Sequence, residues 1–244
     1  MPSNLPSRAG PLALVGGDEL NPGNEPQDEV LVAVASGGPA FVLATAAGRQ
    51  HPDLAVRNAR AWFKGLGLDV EELPAIRRSD VTSAKNAERA RAGRFFYLVG
   101  GDPGLVPKTL ADTPLWDAIV EARRAGAALA GSSAGAMALG EWTLIRDRRP
   151  GDARRRYRTA LSIVPRTAVI PHFDRFGERW VDGSLAGAPR GDVVLVAIDE
   201  RSAALWRDGA WQAFGPGGVT IVTRSDRRRF ASGERIEGIP QPAV

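Results

Sequence analysis

The stretch AALAGSSAGAMALG, residues 127–140, decides how the rest of the chain is read. Its opening AALAG, 127–131, is small and apolar, as a buried strand requires, and the AGAMALG that follows is largely built of helix formers. Gly131-Ser132-Ser133-Ala134-Gly135 joins the two and fits G-x-S-x-G. A turn from strand directly into helix is tight and strained, so only small residues fit on either side of the central serine. The Oγ of Ser133 is expected above the carboxyl edge of a sheet, with the backbone N–H of Ala134 and the helix N-terminus facing any negative charge that develops beside it. A helix entry that merely binds phosphate or packs closely is the plainer alternative; the strand before and the helix after favour a nucleophile.

On either side of this turn, short apolar runs alternate with amphipathic segments. PLALV at 11–15, AFVLAT at 40–45, FFYLVG at 95–100, TAVI at 167–170 and VVLVAI at 193–198 read as strands buried on both faces, hence as a mostly parallel sheet. Helices are expected at 25–36, 53–67, 83–92, 104–111, 113–126 and 134–142. The helix at 113–126 carries its own punctuation, with Thr113 as N-cap, Pro114 at the first helical position and Gly126 after the last turn. Strands alternating with helices imply right-handed crossovers and a three-layer α/β sandwich around a doubly wound sheet. Past residue 200, Asp208-Gly209 between apolar runs marks a hairpin, so the sheet should end in antiparallel strands. The Arg-rich RDRRPGDARRRYR, 146–158, reads as an exposed loop.

The 244 residues suffice for one core, and the expectation is a single domain over 1–244 with loose ends at 1–10 and 238–244. A composition 43% hydrophobic and 25% charged is that of an ordinary globular chain. The net charge of +4 rests on arginines scattered among the acids, with Lys only at 64, 85 and 108, so no nucleic-acid surface is expected. No stretch approaches the ~18 apolar residues of a membrane span, and the N-terminus lacks an apolar signal core, so a cytoplasmic location without membrane attachment is expected. An exposed edge strand or helix layer offers a face for a homodimer. The chain has no Cys, which excludes disulfides, thiolate metal sites and a cysteine nucleophile together.

A serine hydroxyl needs a base, and the two histidines are His51 and His172. His172, in AVIPHFDRFG directly after an apolar strand, falls at the same sheet edge as Ser133, whereas His51 follows a loop and reads as a surface or substrate-contacting residue. For the carboxylate that orients the imidazole, Asp147, Asp152, Asp174 and Glu141 are open, with Asp147 preferred. Gly100-Gly101-Asp102, after the strand FFYLV, offers a second turn whose N–H groups can complete an oxyanion hole. Asp102, Asp174 and Arg175 are candidates for substrate contact. Arg146, Arg148, Arg149 and Arg175 have the chemistry to grip a substrate carboxylate bidentately.

Together LVGG at 14–17, VLATAAG at 42–48, FYLVGGD at 96–102, AGSSAGAMALG at 130–140, IPHFDRFG at 170–177 and AIDERSAAL at 197–205 resemble the serine-peptidase family of aspartyl dipeptidase and cyanophycinase, across nearly the whole chain. The resemblance implies a fold related to the class I glutamine amidotransferases, with serine where those enzymes use cysteine. It matches Ser133 to the nucleophile, His172 to the base, and Gly101 and Ala134 to the oxyanion donors. It puts the triad acid between Asp147 and Asp152. Pro103 stands where cyanophycinase-like members often have Gln. The implied activity is acyl transfer from a short peptide or dipeptide to water, with aspartyl or β-aspartyl bonds favoured and no cofactor. An esterase or amidase on a small metabolite, or a binding domain without turnover, are the rival readings.

Overall fold

The computed structural model describes residues 9–35, 37–146 and 155–243. Its first half alternates strand and helix: β1 (Leu12–Val15), α1 (Glu25–Val34), β2 (Ala40–Leu43), α2 (Pro52–Gly65), β3 (Glu71–Glu72), α3 (Arg78–Val81) and α4 (Ala84–Arg91). Then come β4 (Phe95–Leu98), α5 (Leu105–Leu110), α6 (Pro114–Arg124), β5 (Ala128–Ser132) and α7 (Ala134–Leu139). The rest is strand-rich: β6 (Gly140–Arg146), β7 (Arg155–Thr159), β8 (Val164–Ile170), α8 (Val181–Ala186), β9 (Val194–Ile198), β10 (Ala203–Arg207), β11 (Ala210–Phe214), β12 (Gly218–Val222), β13 (Arg227–Ala231) and β14 (Arg235–Ile236). A π-helical turn, Phe173–Gly177, and a 3-10 turn, Glu178–Trp180, link β8 to α8.

Local signals set the element ends. Thr113 Oγ1 accepts from Trp116 N at 3.3 Å, Pro114 opens α6, and Gly126 beyond its end has φ 104°, a value that suits glycine. In the β10–β11 hairpin, Asp208 and Gly209 have φ 52° and 81°, the two left-handed residues that a tight two-residue turn needs.

Among the described residues the strands form two sheets. The central one runs β14-β11-β10-β1-β5-β4-β2-β3, parallel from β1 to β3 and antiparallel from β10 to β14. Its side chains alternate faces, as strand geometry dictates. Ala13, Val15, Val42, Phe95, Tyr97 and Ala130 point to a core completed by α1 and α2, where Phe63 meets Phe95 and Tyr97 edge-on at 4.9 and 5.2 Å. Leu12, Leu14, Phe41, Leu43, Phe96 and Leu98 point to the other core, filled by α4, α6, α7 and the second sheet. The molecule is a three-layer α/β sandwich with a mostly parallel central sheet.

The second sheet, β13-β12-β9-β8-β6-β7, departs from the expectation of one sheet. The apolar runs at 167–170 and 193–198 are strands, but β8 and β9 pair with each other and with β6 and β12 rather than with β5. Continuous apolarity reports burial on both faces without saying which neighbour supplies it. Two boundaries change as a result. The helix expected to run to 142 ends at Leu139, because Gly140 turns extended (ψ 174°) and enters β6. Residues 155–158 are not loop but strand, paired antiparallel to β6 from Trp142↔Thr159 to Arg146↔Arg155. α7 lies between β1 and β5 of one sheet and β6 and β8 of the other.

Where sequence suggests a loose end, the chain after β14 is docked. Ile239 is buried, Pro240 O accepts from Trp211 Nε1 at 2.9 Å, Ala243 N donates to Ile163 O at 2.7 Å, and Ala243 O accepts from the buried Arg123 at 2.9 Å. Among the described residues no helix is long and apolar enough to cross a membrane.

Candidate active site

Ser133 leaves β5 and enters α7 with φ 48° and ψ −112°, a sparsely populated conformation for a non-glycine residue. Its neighbours explain the glycines of the turn. A Cβ on Gly131 would lie 2.5 Å from Gly135 backbone, and one on Gly135 would lie 2.2 Å from Leu98 O. The turn therefore closes only with hydrogen in both places, and Ser133 N donates to Val15 O at 3.0 Å.

His172 follows β8 in the left-handed region, φ 50° and ψ 43°, its N–H held by Gly16 O at 2.7 Å. The ring Nε2 lies 3.0 Å from Ser133 Oγ. On its other side Nδ1 lies 2.8 Å from Oε1 of Glu200, the second residue after β9. A carboxylate at Nδ1 selects the tautomer that carries its proton there, leaving Nε2 to accept from the serine hydroxyl. Asp174 Oδ1 accepts from Glu200 N at 2.9 Å, and Arg175 Nε stands 3.8 Å from Glu200 Oε2. Phe176 stacks on the imidazole at 5.2 Å and 23°. The His172 and Glu200 side chains are 22% and 24% exposed, open to a ligand on one side yet shielded on the other.

Gly101, with φ 145°, leads out of β4, and a Cβ there would meet Ala46 O at 2.3 Å. Neither the Gly101 N–H nor that of Ala134, in the first turn of α7, has an acceptor among the described residues. Both residues, with Ser133, His172 and Asp102, line an open cavity of about 1520 Å³. Arg49, Lys108, Arg155, Arg156, Arg158 and Arg179 line it too, against the acids Asp102 and Asp112, so cationic side chains predominate on its wall. Arg155 lies over the Trp180 ring at 3.9 Å, and Asp102 holds its own loop through Gly104 N at 2.8 Å.

Residues 12–211 match the model of peptidase family S51. The chain belongs to peptidase family S51. It is similar to the cyanophycinases of Trichormus variabilis and Nostoc sp., 32% identical to each over 170 residues, or 66% of this chain and 55% of theirs. The match thus spans little more than half the length of these curated relatives. A peptidase from an acI-B1 actinobacterium superposes with TM-score 0.81 at 29% identity, covering 95% of this chain and 98% of that one. A putative peptidase E from Listeria monocytogenes, at 17% identity and TM-score 0.59 over 94% of this chain and 100% of its own, shares the fold.

Of the residues singled out in the sequence, the structure places Ser133, His172, Gly101, Ala134 and Asp102 around one cavity. Asp174 and Arg175 stand at Glu200 rather than on the cavity wall. Glu141 is turned elsewhere, accepting from Arg166 N at 2.6 Å and from Arg190 at 3.3 Å. His51 is exposed at the start of α2. Asp147, Asp152, Arg148, Arg149 and the Arg146 side chain lie outside the described residues. The position given to Asp147, beside His172 Nδ1, is occupied by Glu200. The signal for Glu200 was present: it follows the apolar run VVLVAI as closely as His172 follows TAVI, and so reaches the same strand ends.

Proposed function

We propose that this S51 chain is a serine peptidase that cleaves short peptides through an acyl-enzyme, with Ser133 as nucleophile, His172 as general base and acid, and Glu200 orienting the imidazole. The observation that carries the reading is the unbroken relay from Ser133 Oγ to His172 Nε2 at 3.0 Å and from Nδ1 to Glu200 at 2.8 Å. His172 takes the hydroxyl proton as Oγ attacks the carbonyl carbon, and the oxyanion accepts from the N–H groups of Gly101 and Ala134. Collapse of the tetrahedral adduct expels the amine, which receives the proton from His172. Water then attacks the ester, again giving its proton to His172, and the acid product leaves with Ser133 restored.

The cationic side chains on the cavity wall support substrates bearing a carboxylate beside the scissile bond, aspartyl or β-aspartyl dipeptides first. Intact-mass labelling with a fluorophosphonate tests the chemistry. Wild type should gain one adduct that Ser133→Ala and His172→Ala each abolish. A folded wild type that stays unlabelled overturns the reading in favour of a binding domain, and hydrolysis of esters without any dipeptide in a panel would make the chain an esterase.

A further inference from the structure

The end of β1 and the loop from it to α1 take no part in the relay, yet they hold the backbone at or next to each of its members. Val15 O and Gly16 O accept from the backbones of Ser133 and His172 at 3.0 and 2.7 Å, and Gly17 O accepts from Arg201 N at 2.9 Å, next to Glu200. Two residues on, the Glu19 carboxylate accepts from Gly100 N through Oε1 at 2.7 Å and from Ser132 Oγ through Oε2 at 2.9 Å. Gly100 immediately precedes Gly101, and Ser132 precedes Ser133 and Ala134. One side chain therefore ties the loop after β4 to the turn after β5. The loop that carries it is itself anchored, because the fully buried Asn24 donates to Asp18 O and Asn21 O, both at 2.9 Å, and accepts from the buried Gln27 at 2.9 Å.

We propose that Glu19 is a positioning residue that sets the span between the Gly101 and Ala134 N–H groups, and with it the shape of the oxyanion hole. The inference rests on the serine-peptidase reading above. Gly100-Gly101 is the most conformationally free dipeptide a chain can carry, and rotation of the peptide unit between them would aim the Gly101 N–H away from the developing charge. A short, charge-assisted bond from the Gly100 N–H to the carboxylate fixes the Val99–Gly100 peptide unit, and so the point from which the next unit turns. The packing leaves no slack: a Cβ on Gly100 would sit 2.8 Å from Glu19 Oε1 and 3.3 Å from Ser133 Cβ. Glu19 touches neither substrate nor reacting atoms, so its effect should fall on turnover and not on substrate affinity.

The test uses the full chain, the rate of fluorophosphonate labelling and, with whichever dipeptide is cleaved, kcat and KM. Glu19→Ala should lower the labelling rate and kcat by about 10²-fold, as loss of one oriented donor does. KM and the pH profile should hold, since the His172–Glu200 pair is untouched. Glu19→Gln, whose amide oxygen still accepts from Gly100 N–H while its NH₂ meets Ser132 Oγ, should recover to within about tenfold of wild type. Ser132→Ala, which removes one of the two ties, should fall between the two. A folded Glu19→Ala within threefold of wild type, or a Glu19→Gln no better than Glu19→Ala, overturns the role. If Glu19→Ala does not fold, Ser132→Ala decides, a wild-type rate overturning the bridge and a loss supporting it. A folded wild type that fails to label overturns the peptidase reading and this role with it, whereas a labelled wild type beside an equally fast Glu19→Ala overturns this role alone.

Discussion

Glu200 and Asp28 are carboxylates put to opposite uses. Glu200 is partly exposed and pairs with an imidazole; substituting Gln keeps the size but lets the side chain present NH₂ to Nδ1, favouring the wrong tautomer. Glu200→Gln should lower kcat by about 10³- to 10⁴-fold with little change in melting temperature, checked by steady-state kinetics beside a thermal melt. Asp28 sits fully buried on α1 behind the site, accepting one bond from Trp62 Nε1 at 2.8 Å, and burial pushes its pKa from 3.8 up to about 7. The native state therefore holds a proton that the unfolded chain has released, and stability falls as pH rises from about 4 to about 7. Three units correspond to about 4 kcal/mol, so Asp28→Asn, which keeps the acceptor without the charge, should stabilise the protein by up to that amount at pH 8 and hardly at all at pH 4. Equal gains at both pH values in urea titrations would contradict this. Ser133 and His172 were legible in the sequence because each follows an apolar strand and few residues of the right chemistry compete. Glu200 carried the same strand-end signal but did not stand out by it, because carboxylates are plentiful and nearness to the elbow in sequence is a poor guide to nearness in space.

The elements were legible where a side chain or glycine marks the end, as at Thr113, Pro114 and Gly126 around α6 and at Asp208-Gly209 between β10 and β11. They were illegible where only pairing decides. Nothing local in 140–146 distinguishes a continued helix from β6, whose ladder partners are Arg155–Thr159 and the distant β8. The turn after β1 makes a prediction at this scale. Gly17 has φ 108°, and a Cβ there would lie 2.3 Å from His172 Cε1. Gly17→Ala should thus push the imidazole off Ser133 and lower the labelling rate by at least about 10²-fold, while the strain costs only about 1 kcal/mol of stability. Loss of folding in step with loss of rate, judged by circular dichroism, would show the turn to be structural only.

Across the whole molecule the two sheets are held together by packed cores and, at one corner, by residues 239–243. Removing that segment deletes three hydrogen bonds, worth about 1 kcal/mol each, and the burial of Ile239, partly offset by chain entropy released. A chain cut after Gly238 should lose about 3 kcal/mol and melt roughly 6–12 °C lower; an unchanged melting curve would mean that the docked tail contributes nothing. Architecture was legible as far as α and β alternation reaches, and no further, since the division of strands between two sheets is written in long-range pairing. That division also separates the proposed triad. Ser133 follows a strand of the central sheet, while His172 and Glu200 follow strands of the second. During translation Ser133 emerges from the ribosome before His172 and Glu200, and β8 and β9 must be synthesised and docked before the proposed triad is complete. The proposed nucleophile therefore stays without its partners until the chain has been made through Glu200.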